Sequence, residues 1–141
     1  MFSRDEKLKA DRLRYLEYIA YHDNLTGLKN RMYLYDKLVK EDYRFIYFID
    51  IDDLRDINKE HGHLYGDTYI KSVVDEICGR IGSKDVLIRY GGDEFLLFSK
   101  ELVDLKGGGS FSAGCSILDG VTLNDAVNYA NLDMLEKKKL K

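Results

Sequence analysis

The apolar positions of this chain fall into runs of distinct period. Residues 4–22, RDEKLKADRLRYLEYIAYH, are charged and rich in helix formers, with Leu13, Leu16, Ile19 and Ala20 as a short apolar stripe. This spacing predicts an N-terminal helix whose stripe is too short to specify a coiled coil. DNLTGLKN interrupts with turn chemistry and a glycine. Met32, Tyr35, Leu38 and Val39 then predict a second helix over residues 30–40. RFIYFI, residues 44–49, is an unbroken aromatic and β-branched run, the pattern of a strand covered on both faces. The polar stretch LRDINKEHGHLYGD predicts a loop. After it Ile70, Val73, Val74, Ile77, Cys78 and Ile81 recur at helical spacing.

VLIRY and EFLLF read as two short strands joined through Gly91 and Gly92, a pair that suits a primed hairpin turn. DLKGGG predicts a loop and SFSAGCSI a last strand. Leu123, Ala126, Val127, Ala130 and Met134 share one face of a final helix. The order α-α-β-α-β-β-β-α predicts an α/β or α+β sandwich with helices over one sheet. An N-terminal helix at 1–22 would precede a compact domain at 23–141.

At 141 residues, 45% hydrophobic and 33% charged, the chain can bury a single core and reads as soluble and globular. The net charge of −3 supplies no broad basic field, which excludes a nucleic-acid partner. No apolar run approaches the roughly 18 residues of a membrane span, and MFSRDEKLKADR lacks a signal-peptide core. These readings predict a cytoplasmic protein without a membrane partner. Cys78 and Cys115 sit among apolar neighbours with no metal-ligand spacing, so both are expected to be buried thiols.

The candidate chemistry is acidic. Asp50 and Asp52 stand at the carboxyl end of the first strand, two apart, so their side chains share one face and Ile51 takes the other. Asp93 closes the Gly-Gly turn, with Glu94 beside it. If that hairpin packs beside the first strand, Asp50 and Asp93 converge. Carboxylates held together repel, and a hard cation resolves the repulsion. Mg²⁺ completes its shell with water and phosphate oxygens, which points to phosphoryl or nucleotidyl transfer. Without Cβ atoms, Gly91 and Gly92 would let a base or phosphate approach the backbone.

Three segments carry a family resemblance. RYGGDEF resembles the signature of GGDEF domains, the diguanylate cyclases. DNLTGLKNR at 23–31 is similar to the family's upstream segment, and DIDDLRDINKEHGHLYGD at 50–67 to its first acidic block. The resemblance covers about residues 23–138. It implies a palm-like nucleotidyl cyclase fold with a ferredoxin-like core and a mostly antiparallel sheet. It also implies that Asp50, Asp93 and the Ile51 carbonyl hold Mg²⁺ or Mn²⁺, and that Glu94 assists at the metal or deprotonates the 3′-hydroxyl. Asn58 and Asp67 would bind the guanine edge, Gly91 and Gly92 would admit the nucleotide, and Arg55 and Lys138 would meet phosphate. The loop at 53–66 would wrap the base, with Gly66 and Asp67 opening the long helix. The implied reaction joins two GTP into cyclic di-GMP with release of two pyrophosphates, across two facing copies of the domain.

The sequence departs from the family in several places. Leu54-Arg55 replaces Phe-Lys, and Arg55 keeps the charge with a different geometry. The closing Gly-Arg-Asn has no counterpart up to Lys141. Gly82 stands where the product-inhibition motif has arginine, although Asp85 is in place. Only SKELVDLKGGG links the two strands that the family separates by a helix and a further strand. Three functions therefore stand open: a cyclase, a degenerate domain that binds GTP or a partner without turnover, and a minimal palm-type synthase using another nucleotide. His63 is expected to stabilise a turn by hydrogen bonding. Tyr15, Tyr18 and Tyr21 are expected to pack on the domain or a partner helix, and Arg89 to pair with a nearby carboxylate.

Overall fold

In the computed structural model, which describes all 141 residues, the elements run α1 (Arg4–Tyr21), β1 (Lys29–Asn30), α2 (Arg31–Asp36), β2 (Phe45–Ile51), α3 (Leu54–His61), α4 (His63–Cys78), β3 (Val86–Arg89), β4 (Glu94–Ser99), β5 (Phe111–Ile117) and α5 (Leu123–Lys138). One five-stranded sheet has the order β1-β3-β4-β2-β5. Only β1 and β3 pair in parallel; the other three pairings are antiparallel. The mostly antiparallel α+β architecture agrees with the expectation.

β2 and β4 lie in the middle of the sheet and are buried on both faces, which is why their sequences are continuous apolar runs rather than alternating ones. Tyr47, Ile49, Ile51, Phe95 and Leu97 face one layer, where Ile70, Val73, Val74 and Ile77 of α4 cover them. Ile46, Phe48, Leu96 and Phe98 face the other, against Ala126, Val127, Ala130 and Met134 of α5. α5 lies so close over β5 that a Cβ on Gly114 would run into the Met134 and Ala130 backbone.

Local chemistry sets the helix starts. Ser3 accepts from the Glu6 amide at 3.2 Å, Asn30 from Tyr33 at 3.1 Å and Thr122 from Asp125 at 3.1 Å, each satisfying an otherwise orphaned first-turn donor. α1 buries no residue, and Leu13, Leu16 and Ile19 are exposed. Tyr15 and Tyr18 are exposed too. Tyr18 stacks on His22, and only Tyr21 packs on the domain, edge-on to Tyr33. No helix is long and apolar enough to cross a membrane.

Four expectations need correction. The predicted loop after β2 is a helix, α3, and α4 starts at His63 rather than at Gly66. Asp53 in the left-handed region (φ 60°) turns the chain out of β2, and Gly62 (φ 86°) forms the joint between α3 and α4. The second helix ends at Asp36, with a short 3-10 turn at Lys40–Asp42. The β3–β4 connection spans residues 90–93, and neither Gly91 nor Gly92 has positive φ, so it is not a primed two-residue turn. Instead the Glu94 carbonyl accepts from the Tyr90 and Gly91 amides at 2.8 and 3.0 Å. Cys78 is exposed at the end of α4, and Cys115 is half-buried.

Candidate active site

β2 and β4 pair with Asp50 opposite Glu94, and the Ile51 amide donates to the Asp93 carbonyl at 2.9 Å. The register thus stitches the acidic end of β2 to the signature turn and brings the Asp50 and Asp93 carboxylates together. Burial raises the Asp50 pKa. The Lys138 ammonium opposes that rise, but the nearby Asp93 carboxylate reinforces it and the net direction is upward.

Asp50 and Asp52 share the α5 face, as the period of two predicts. Lys138 lies 3.0 Å from Asp50 Oδ2 and 3.8 Å from Asp52 Oδ1. Asp52 is buried; it accepts from Ser112 Oγ at 2.8 Å and from Lys141 Nζ at 2.6 Å. Burial works against the Lys138 ammonium, but its hydrogen bond to Asp50 and the charges of Asp50, Asp52 and Asp93 outweigh burial and raise its pKa. Lys138 therefore neutralises the carboxylates here and does not stand free for phosphate. The ion pairs of Lys138 and Lys141 lay outside the sequence reading, because they join α5 and its continuation to a strand some ninety positions earlier.

One observation marks the site as able to take a cation. Asp50 Oδ1 is buried and has no hydrogen-bond partner, an arrangement that costs free energy unless something else meets that oxygen. Hard oxygen donors suit Mg²⁺ or Mn²⁺. No three His, Cys, Asp or Glu side chains are placed so that together they could hold a metal ion. An ion at Asp50 and Asp93 would therefore draw further ligands from a backbone carbonyl such as that of Ile51, from water or from a nucleotide.

Beside the carboxylates opens a cleft of about 580 Å³ lined by Leu54, Arg55, Asn58, Lys59, His63, Ile70, Arg89, Gly92 and Asp93. It brings together Arg55, Asn58, Gly92 and Asp93 of the predicted site and adds Lys59 and Arg89. Asp67 lies in the first turns of α4, half-buried, and is not among the lining residues. His63 lines the cleft, and its side chain makes no hydrogen bond within the protein, contrary to the turn-stabilising role expected of it. Asn58 packs directly on Gly66: a Cβ there would overlap its amide oxygen and lie 2.8 Å from its Cγ. Glu94 folds back beneath the turn, where a Cβ on Gly91 would lie 2.7 Å from its Oε1. The two glycines of the turn thus differ, since a Cβ on Gly92 would meet no atom within 4 Å.

Arg89 holds the turn in place. Its guanidinium donates to both Asp23 oxygens at 3.2 and 3.1 Å and to the Gly92 carbonyl at 2.8 Å. This is the carboxylate pairing expected of it, and the partner is the first residue of DNLTGLKNR. Asp23 also accepts from the Thr26 amide and hydroxyl at 2.8 and 2.7 Å. Burial would raise the Asp23 pKa, but these donors and Arg89 outweigh it and lower it. Arg31 completes the tether, with its guanidinium 3.8 Å from the Tyr90 ring centroid and its Nε donating to the Tyr90 carbonyl at 3.1 Å. Gly82 leaves its amide to donate to Asp85 at 2.7 Å.

Comparison with known proteins agrees with the sequence signature. The family described as "Diguanylate cyclase, GGDEF domain" matches residues 20–108. The chain is 39% identical over 92 residues to the bifunctional diguanylate cyclase/cyclic di-GMP phosphodiesterase MucR of Pseudomonas aeruginosa, covering 60% of this chain and 13% of that protein. It is 34% identical over 88 residues to diguanylate cyclase TpbB of the same species, covering 57% and 20%. The chain thus spans a fifth or less of these relatives. The coiled coil and GGDEF domain of DgcB from Caulobacter crescentus, solved with cyclic di-GMP, superposes with a TM-score of 0.77 at 22% identity, over 96% of this chain and 91% of that one.

Proposed function

Because the chain belongs to the GGDEF family, we propose that it is a diguanylate cyclase that condenses two GTP into cyclic di-GMP. The observation that carries this reading is the orphaned, buried Asp50 Oδ1 set against Asp93 beside the Asn58 cleft. Asp50, Asp93 and the Ile51 carbonyl would hold Mg²⁺ or Mn²⁺. When bound, such an ion lowers the pKa of a hydroxyl and neutralises phosphate charge.

The chain's own residues do the rest. Asn58 and Asp67 take the guanine edge, where a carboxylate accepts from the N1–H and N2–H₂ donors that adenine lacks. Gly92 gives the nucleotide access to the turn backbone, while Gly91 makes room for Glu94 beneath it. Arg55 and Lys59 line the cleft as cations for the triphosphate, and Lys138 turns from Asp50 toward phosphate as nucleotide enters. Glu94 takes the proton of the attacking 3′-hydroxyl. That oxygen bonds to the α-phosphorus of the second GTP while the bond to the leaving pyrophosphate breaks. The same exchange in the other direction closes the ring and releases the second pyrophosphate. One domain holds one GTP, so two copies face each other, at least transiently.

A second reading is a domain that binds GTP or a partner protein without turnover. The pairing of Lys138 and Lys141 with Asp50 and Asp52 favours it, since a cation must compete with those ammonium groups. Incubation of the chain with each nucleoside triphosphate and Mg²⁺ or Mn²⁺, followed by chromatography, separates the readings. Cyclic di-GMP from GTP alone supports the cyclase. Bound but unconverted GTP supports the second reading, and conversion of another nucleotide overturns guanine specificity.

A further inference from the structure

β5 is an edge of the sheet, and the short connection from β4 leaves a cleft of about 650 Å³ beside it. The cleft shares no residue with the nucleotide cleft. Its volume is in the range of small-molecule sites, about 300–1,000 Å³. Tyr47, Val103, Leu105, Phe111 and Ala113 give it an apolar lining, closed on one side where Gly108 packs against the Phe111 ring. Its charged residues are three lysines, Lys106, Lys137 and Lys141, against the single carboxylate of Asp104.

A bare edge strand invites another strand, but two groups that such a strand would use are already taken here. The register turns the odd-numbered backbone groups of β5 outward. Of these, the Cys115 amide already donates to Asp133 at 2.8 Å, and the Phe111 carbonyl accepts from Lys141 Nζ. What fits is a compact ligand with an apolar body and a negative end. Lys137 is paired with Asp133 at 2.9 Å and Lys141 with Asp52, whereas the Lys106 ammonium has no ion-pair partner.

We propose that this cleft is a binding site for an amphipathic carboxylate. Its chain or ring lies along Tyr47, Val103, Leu105 and Ala113, and its carboxylate meets Lys106 and Lys137. The site is independent of the cyclase reading, and its test uses no turnover. The full chain is titrated with anilinonaphthalene sulfonate, whose fluorescence rises in an apolar pocket, and the dye is displaced with octanoate or with octanol. One saturable dye site per chain is expected, with octanoate displacing the dye at a concentration about tenfold below octanol because it adds a charge-assisted contact. Ala113→Trp, which fills the floor, should abolish dye binding while circular dichroism stays unchanged. Should that variant not fold, the surface double variant Lys106→Ala/Lys137→Ala decides: it should keep octanol binding and lose the tenfold preference. Absence of saturable dye binding, wild-type binding by folded Ala113→Trp, or equal displacement by octanoate and octanol would overturn the proposal.

Discussion

Gly66 allows a sharp test of how the base is read. In Gly66→Ala the new Cβ falls on the Asn58 amide oxygen and 2.8 Å from its Cγ. The carboxamide must swing away by roughly 2 Å before ordinary contact distances return. The cost to the fold is small. Asn58 is half-buried and its side chain makes no hydrogen bond within the protein, so a changed rotamer costs about 1 kcal/mol. Alanine at a helical position returns about the same amount through helix propensity. Thermal stability should therefore hardly move. If Asn58 takes the guanine edge as proposed, binding should move, because the displaced amide would no longer meet the base. Losing a well-made base contact costs about 1–3 kcal/mol, so the Kd for GTP measured by calorimetry should rise about tenfold or more. In an Asn58→Ala background the same substitution should leave GTP affinity unchanged and stabilise the fold by about 1 kcal/mol, since nothing is left to displace. Wild-type GTP affinity in Gly66→Ala, or additive losses in the double variant, would refute the positioning of Asn58 by Gly66.

Other outcomes follow from the same geometry. Asp93→Asn removes a charge that raises the Asp50 pKa, so its melting temperature at neutral pH should equal or slightly exceed that of the wild type; a large loss by calorimetry would mean that Asp93 is structural. The Asp23 pKa is depressed in the folded state, so its contribution is complete above the unfolded value and is lost as pH falls through the folded one. Asp23→Asn should thus melt below the wild type at pH 7, with the gap closing as pH drops under about 4; a gap independent of pH would contradict this. If two copies must face each other, initial rates should rise more than linearly with enzyme concentration in the dilute range, and strict proportionality in a monomeric protein would contradict the facing arrangement.

The central strands were legible in the sequence because burial on both faces leaves nothing but apolar residues to read, as in RFIYFI and EFLLF. α4 and α5 were legible because each buries a single stripe. α3 was not. Among its eight residues only Leu54 is buried, and the helix depends on a left-handed Asp53 and a positive-φ Gly62 that periodicity does not reveal. The signature turn is legible in the sequence but its form is not: Gly91 serves the close approach of Glu94 rather than a primed backbone. The convergence of Asp50 and Asp93 was foreseeable from strand ends, whereas the lysine pairs were not. Arg89 was expected to meet a carboxylate, but that the carboxylate is Asp23, outside the hairpin, takes the parallel pairing of β1 with β3 to explain.

The central claim is that Asp50 and Asp93 form the acidic centre of a cyclase. It is tested most directly by following cyclic di-GMP and pyrophosphate together in purified wild-type and Asp93→Asn protein, with GTP and Mg²⁺. The account predicts two pyrophosphates for each cyclic di-GMP in the wild type, and no product from Asp93→Asn that still folds. Product formation by folded Asp93→Asn, or a wild type that releases no pyrophosphate while binding GTP, would contradict it.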